Sequence, residues 1–173
     1  MIFKKMELDG VYLISLDKQK DERGFFARSF CKNEFIDYGL CAEWVQCNFS
    51  YNVKRGTLRG MHYQKDPYEE AKLVSCIRGS IYDVILDIRK TSKTYGKWIT
   101  IKLTSENNNM LYIPIGMAHG FQTLEDHSVV YYQMGEYYHP ESACGIRFDD
   151  KRFSIIWPIN EKIISEKDLS YIS

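Results

Sequence analysis

Residues 80–89 read SIYDVILDIR, and the fold follows from how these side chains alternate. Tyr82, Val84, Leu86 and Ile88 fall on one face; Ile81, Asp83, Ile85, Asp87 and Arg89 fall on the other. A period of two is that of a β-strand, here with one apolar side and one mixed side. Residues 98–103, WITIKL, repeat it, with Ile99, Ile101 and Leu103 opposite Trp98, Thr100 and Lys102. Shorter strand-like runs lie at 11–16, 25–30, 44–49, 72–77, 110–113 and 128–134. Turn formers separate them at 21–24, 55–56, 78–79, 107–109, 114–116 and 125–126. Only 32–38, closed by Gly39, and a stretch near 162–169 read as helices, both short. Many short strands with few helices predict an all-β sandwich or barrel, one domain over 1–173.

Composition narrows the function classes. Twenty-three Lys and Arg balance twenty-three Asp and Glu, so the basic excess of a nucleic-acid binder is absent. No apolar run approaches the ~18–20 residues of a membrane span. The start, MIFKKMELDG at 1–10, lacks the apolar stretch of a signal peptide. Cys31, Cys41, Cys47, Cys76 and Cys144 are odd in number and form no Cys-x-x-Cys pair. That spacing excludes a zinc ribbon or thioredoxin-like site and fits small hydrophobes in a reducing compartment. A cytoplasmic domain with neither a nucleic-acid nor a membrane partner is expected.

A barrel that holds a ligand lines its interior with polar side chains alternating with apolar ones. Residues 59–64, RGMHYQ, concentrate such groups. Strict alternation sets Arg59, Met61 and Tyr63 on one face and Gly60, His62 and Gln64 on the other. Burying Arg59, His62, Gln64 and Lys72 together without a function would be costly, since each needs a partner. At 114–121, PIGMAHGF reads as a tight turn that presents His119 at the lip of a sheet. Its Pro-x-Gly-x-x-His pattern resembles the second motif of cupin barrels, whose histidine binds metal. The first cupin motif is His-x-His followed by Glu; here the stretch is His62-Tyr63-Gln64, with Lys72 downstream. Zinc or iron would want three or four His, Cys or carboxylate ligands, and an ammonium repels a dication. A cupin without metal or other cofactor is expected.

Longer matching words run through most of the chain. They are DERGFF at 21–26, QCNFS at 46–50, GTLRGMHYQ at 56–64, EAKLV at 70–74 and GSIYDVILDIR at 79–89. SKTYGKW at 92–98, IPIGMAHGF at 113–121, WP at 157–158 and SEKD at 165–168 complete the series. In this order they resemble the dTDP-4-dehydrorhamnose 3,5-epimerases, the RmlC-type sugar-nucleotide epimerases. The resemblance implies an RmlC-like cupin, a jelly-roll barrel with a few short helices. It also implies a cytoplasmic homodimer that feeds dTDP-rhamnose to polysaccharides such as O-antigen. A 4-keto sugar acidifies the C–H bonds at C3 and C5, so inversion needs a base, an oxyanion holder and an acid on the opposite face. His62 suits the base, and the resemblance pairs it with Asp168 of the Ser-x-Lys-Asp word. Lys72 suits the oxyanion. Tyr132, thirteen residues after His119, matches the family acid, and alternation turns either it or Tyr131 inward. Arg23, Phe26, Gln46, Asn48, Arg59, His119 and Lys167 match substrate-binding positions, the cations suiting a diphosphate. The family's segment around Arg23 and Phe26 crosses into the neighbouring subunit's barrel.

Two positions depart from the family pattern: Arg28 stands where a glutamate is common, and Ala143 aligns with a second glutamate. Both bear on the nucleotide or sugar bound rather than on proton transfer. The expected reaction takes dTDP-4-dehydro-6-deoxy-D-glucose to dTDP-4-dehydro-L-rhamnose. The alternatives are inversion at one carbon only, a GDP- or CDP-linked sugar, a sugar-nucleotide ketoisomerase, and a non-catalytic carbohydrate-binding cupin.

Overall fold

The computed structural model describes residues 1–171. Two antiparallel sheets face each other. The first runs β1 (Ile2–Lys5), β2 (Tyr12–Ser15), β10 (Met110–Ile113), β7 (Lys72–Arg78), β12 (Ser128–Met134), β5 (Gln46–Asn52). The second runs β13 (Ala143–Gly145), β6 (Leu58–Gln64), β11 (Met117–Thr123), β8 (Ser80–Asp87), β9 (Trp98–Thr104). Strands β3 (Gln19–Asp21) and β4 (Gly24–Phe26) form a separate ribbon, and the helices are α1 (Lys32–Asp37) and α2 (Glu166–Leu169). From β5 to β8 the chain changes sheet at each step, the strand exchange of a jelly roll. All five cysteines are free.

The alternation seen in 80–89 is what builds the layers. Ile81 and Ile85 point between the sheets and pack with Val74, Cys76, Leu111, Phe121 and Val130. Val84 and Leu86 point outward, where Trp157 and Ile146 of the C-terminal segment cover them. On the outer side of the first sheet, Leu73 and Tyr112 are capped by Phe35 of α1. The apolar side and the mixed side of β8 are thus both buried, which is why six of its eight residues carry aliphatic or carboxylate chains inside.

Three sequence expectations need correction. Residues 117–123 form a fully buried strand, not a turn, so His119 sits inside the barrel rather than at a lip. The turn formers Pro114 to Gly116 only lead into it. Second, Arg59 and His62 lie on the same side, although alternation separates them. β11 matches His119 with His62 but Phe121 with Arg59, so β6 carries one extra residue, a bulge that resets the alternation. Gly60 has φ +130°, and a Cβ there would meet the backbone of Gly120. The two glycines let the strands approach closely enough to form the bulge. Third, the helix near 162–169 shrinks to α2, and the strand at 25–30 to the end of β4.

Candidate active site

A cavity of about 710 Å³ opens between the sheets, in the range of small-molecule sites. The second sheet contributes Arg59, His62 and His119; the first contributes Gln46, Asn48, Lys72 and Tyr132. Lys167 and Asp168 reach it from α2. Register explains the selection on the first sheet: Tyr132 pairs with Asn48 and Val74, all inward-facing, while Tyr131 points out against Phe49.

His62 Nε2 lies 2.7 Å from Asp168 Oδ1, across 106 residues of sequence. This leaves Nδ1 as the nitrogen free for chemistry. Asp168 is brought there by the chain end running beside β6, with Leu58 N–H donating to the Ile163 carbonyl at 2.9 Å. Ser165 then caps α2 by accepting from Asp168 N–H. At the other end of α2, Arg147 donates to the Leu169 carbonyl at 2.7 Å while its guanidinium grips Asp149. Burial alone would push the Asp168 carboxyl up. Hydrogen bonds from His62 and the Gly60 N–H outweigh it and hold the group below its usual range, so Asp168 is an anion beside the imidazole.

Lys72 crosses the gap between the sheets. Its Nζ is 2.8 Å from Glu70 Oε1 and donates to the His62 carbonyl at 3.3 Å. Burial raises the Tyr132 phenol, partly offset by the Arg59 charge, so Tyr132 holds its proton at neutral pH. Arg59 donates to Asn52 Oδ1 at 2.8 Å, which fixes its guanidinium at the cavity wall. His119 Nε2 sits 2.8 Å from Asp83 Oδ1. Asp83 is completely buried, and burial pushes its carboxyl up against the pull of His119 and Lys72.

Two expected binding residues lie elsewhere. Arg23 and Phe26 stand on the β3–β4 ribbon, outside the cavity of their own chain, with the Arg23 side chain 84% and Phe26 76% exposed. The departing Arg28 bonds Glu34 of α1, and Ala143 lines the cavity without filling it. Among the described residues no cluster of three metal-ligating groups occurs and no helix is long and apolar enough to cross a membrane. Sequence reasoning missed Glu70, Asp83, Asn52, Tyr138 and Tyr171, the first three as partners of site residues and the last two as cavity walls. Asp83 had a signal, as a carboxylate on the inward face of β8; the others had none.

A family model described as dTDP-4-dehydrorhamnose 3,5-epimerase matches residues 5–173. The chain belongs to this epimerase family. Its members are isomerases, and so is this protein. Among curated relatives, the dTDP-4-dehydrorhamnose 3,5-epimerase of Methanothermobacter thermautotrophicus is 44% identical over 98% of this chain and 92% of its own. The Bacillus anthracis epimerase, solved with TDP and PPi bound, superposes with TM-score 0.96 at 37% identity, covering 99% of this chain and 98% of its own. The Legionella pneumophila epimerase, solved with dTDP-4-keto-L-rhamnose, gives 0.92 at 37% identity over 98% and 90% of the two chains. The jelly roll is therefore an epimerase cupin.

Proposed function

We propose that the protein inverts C3 and C5 of dTDP-4-dehydro-6-deoxy-D-glucose, giving dTDP-4-dehydro-L-rhamnose, with residues 1–173 acting as one catalytic domain. The observation that carries this reading is the His62–Asp168 pair on one wall of the cavity and a protonated Tyr132 on the other. His62 Nδ1 takes the proton from carbon beside the carbonyl; the C–H electron pair forms the C=C bond of an enolate as the carbonyl π pair moves onto oxygen. Lys72 holds the resulting enolate, in a site dry enough for an ammonium to matter. Tyr132 delivers a proton to the opposite face as the enolate collapses, which inverts the carbon. The imidazolium then loses its proton to water and the phenolate regains one, so each inversion is balanced. Asp168 stabilises the imidazolium in between. Arg59, His119, Lys167, Gln46 and Asn48 bind the nucleotide diphosphate, and the ribbon bearing Arg23 and Phe26 completes the cavity of a second copy.

The relatives named above support the substrate assignment. Incubation with the dTDP-4-keto sugar in D₂O is expected to place deuterium at both C3 and C5 of inverted product. Deuterium at one carbon alone would make the protein a single-centre epimerase. Exchange only with a GDP- or CDP-linked sugar would move the assignment to another nucleotide. His62→Ala is expected to lose exchange at both carbons by ~10²–10⁴-fold.

A further inference from the structure

Gly145 is the cross-strand partner of His62 where β13 pairs with β6. A side chain at that position would stand beside the imidazole, as cross-strand neighbours do. Gly145 leaves the place open, and the ring of Tyr171 fills it. A Cβ built on Gly145 would fall onto the Tyr171 ring, at Cε2, Cζ and Cδ2. From that seat the ring meets the His62 imidazole nearly edge-on, with centroids 6.0 Å apart and 70° between planes. Burial and then the Asp168 charge raise the Tyr171 phenol, so the residue stays neutral beside the pair.

The imidazole needs such a neighbour. Its side chain is 41% exposed, because the face toward substrate is open, and among the described residues its one hydrogen bond to a side chain is that to Asp168. A single bond at Nε2 leaves the ring free to swing about it, and a misplacement of ~1 Å at a reacting group costs on the order of 10²-fold in rate. We infer that Tyr171 is a positioning residue: its ring stands in for the cross-strand neighbour that Gly145 withholds, confining the His62 imidazole and keeping water off its bond to Asp168. The inference rests on the reading of His62 as the base.

Gly145 supplies the control, since its backbone is not in the left-handed region and the three atoms nearest an alanine Cβ there all belong to the Tyr171 ring. Tyr171→Ala is expected to lower kcat roughly 10-fold with KM within about twofold, and Tyr171→Phe to restore it. Gly145→Ala is expected to lower kcat similarly, and to add nothing in a Tyr171→Ala background. By NMR, the His62 imidazole N–H bound to Asp168 is expected as a sharp low-field proton in the wild type and in Tyr171→Phe. It should broaden by exchange with water in Tyr171→Ala and in Gly145→Ala. A wild-type kcat and a sharp proton in Tyr171→Ala would overturn the inference. So would an effect on KM alone, a Tyr171→Phe loss equal to that of alanine, or full additivity of the two alanine changes. The base reading is tested separately: exchange surviving in His62→Ala would remove that reading, whereas a dead His62→Ala beside an unaffected Tyr171→Ala would remove only the role of Tyr171.

Discussion

His62 and Tyr132 approach the cavity from different sheets, and that separation is what a one-carbon inversion requires. Tyr132→Phe keeps the ring and its packing, so the fold should tolerate it. On the proposed mechanism His62 would still remove a proton and return deuterium from the same side. The variant is expected to keep deuterium wash-in at C3 while inverted product falls by ~10²-fold or more. Unchanged inversion there, with loss in Tyr131→Phe, would reverse the assignment, although Tyr131 packs outward on Phe49. Lys72 argues a second outcome at this scale. Its ammonium, fixed between Glu70 and the His62 carbonyl, stands where a dication would have to be tolerated. Activity is therefore expected to survive prolonged EDTA; loss restored by one added metal would overturn the metal-free mechanism. These residues were legible because their types fit the chemistry and their words matched a family. Glu70 and Tyr171 were not, since a carboxylate beside a lysine and a tyrosine near a chain end look like surface until the fold brings them in.

Two strands show where local pattern suffices and where it fails. β8 alternates without interruption, and each residue of 81–86 lies on the side its parity assigns. β6 does not, because the close passage of Gly60 over Gly120 inserts a bulge that no single-strand pattern can register. β11 was masked for the same reason: Gly116 and Gly120 read as turn formers, yet Gly120 is needed for contact with Arg59 and Met61 of the neighbouring strand. Gly60→Ala is expected to destabilise the protein by about 2–5 kcal/mol in urea melts, combining a strained positive φ with backbone overlap. A loss under 1 kcal/mol would mean that the crossing is loosely held. The connection after β8 depends on charge instead. Asp87 accepts from Arg89, Ser92 and Thr94. Burial alone would raise its carboxyl, but these bonds bring it from 3.8 down to about 2. A depressed carboxyl contributes stability that is fully present above the unfolded value and is lost as pH falls through the folded one. The thermal-stability gap between wild type and Asp87→Asn should therefore be constant above pH 5 and close between about pH 4 and 2. A gap that persists unchanged at pH 2 would show the loop is held by other contacts.

At the level of the whole molecule, one side of the barrel is covered and the other only in part. The C-terminal segment buries the outer face of the second sheet, and α1 buries part of the first. Beyond α1, Phe49, Tyr51 and Ile77 remain half or more exposed on that outer face. This apolar sheet face is the seat we propose for a second copy. The same assembly would account for the ribbon, whose Arg23 and Phe26 lie outside the described cavity of their own chain. A complementation experiment separates sharing of sites from mere association. Arg23→Ala spoils the arm a chain lends, and His62→Ala spoils the cavity it owns. If arms cross, a dimer with one chain of each kind has one cavity with both groups intact. Half of the dimers in a randomly re-paired equimolar mixture are of that kind, and half of their sites work, so about a quarter of wild-type activity should return. If each arm served its own chain, the mixture would show only the average of the two variants. Phe49→Glu, placed on the exposed face, is expected to halve the sedimenting mass and to reduce kcat/KM in proportion to the arm's contribution, measured independently from Arg23→Ala. A monomer of undiminished activity would leave the ribbon without a role in catalysis.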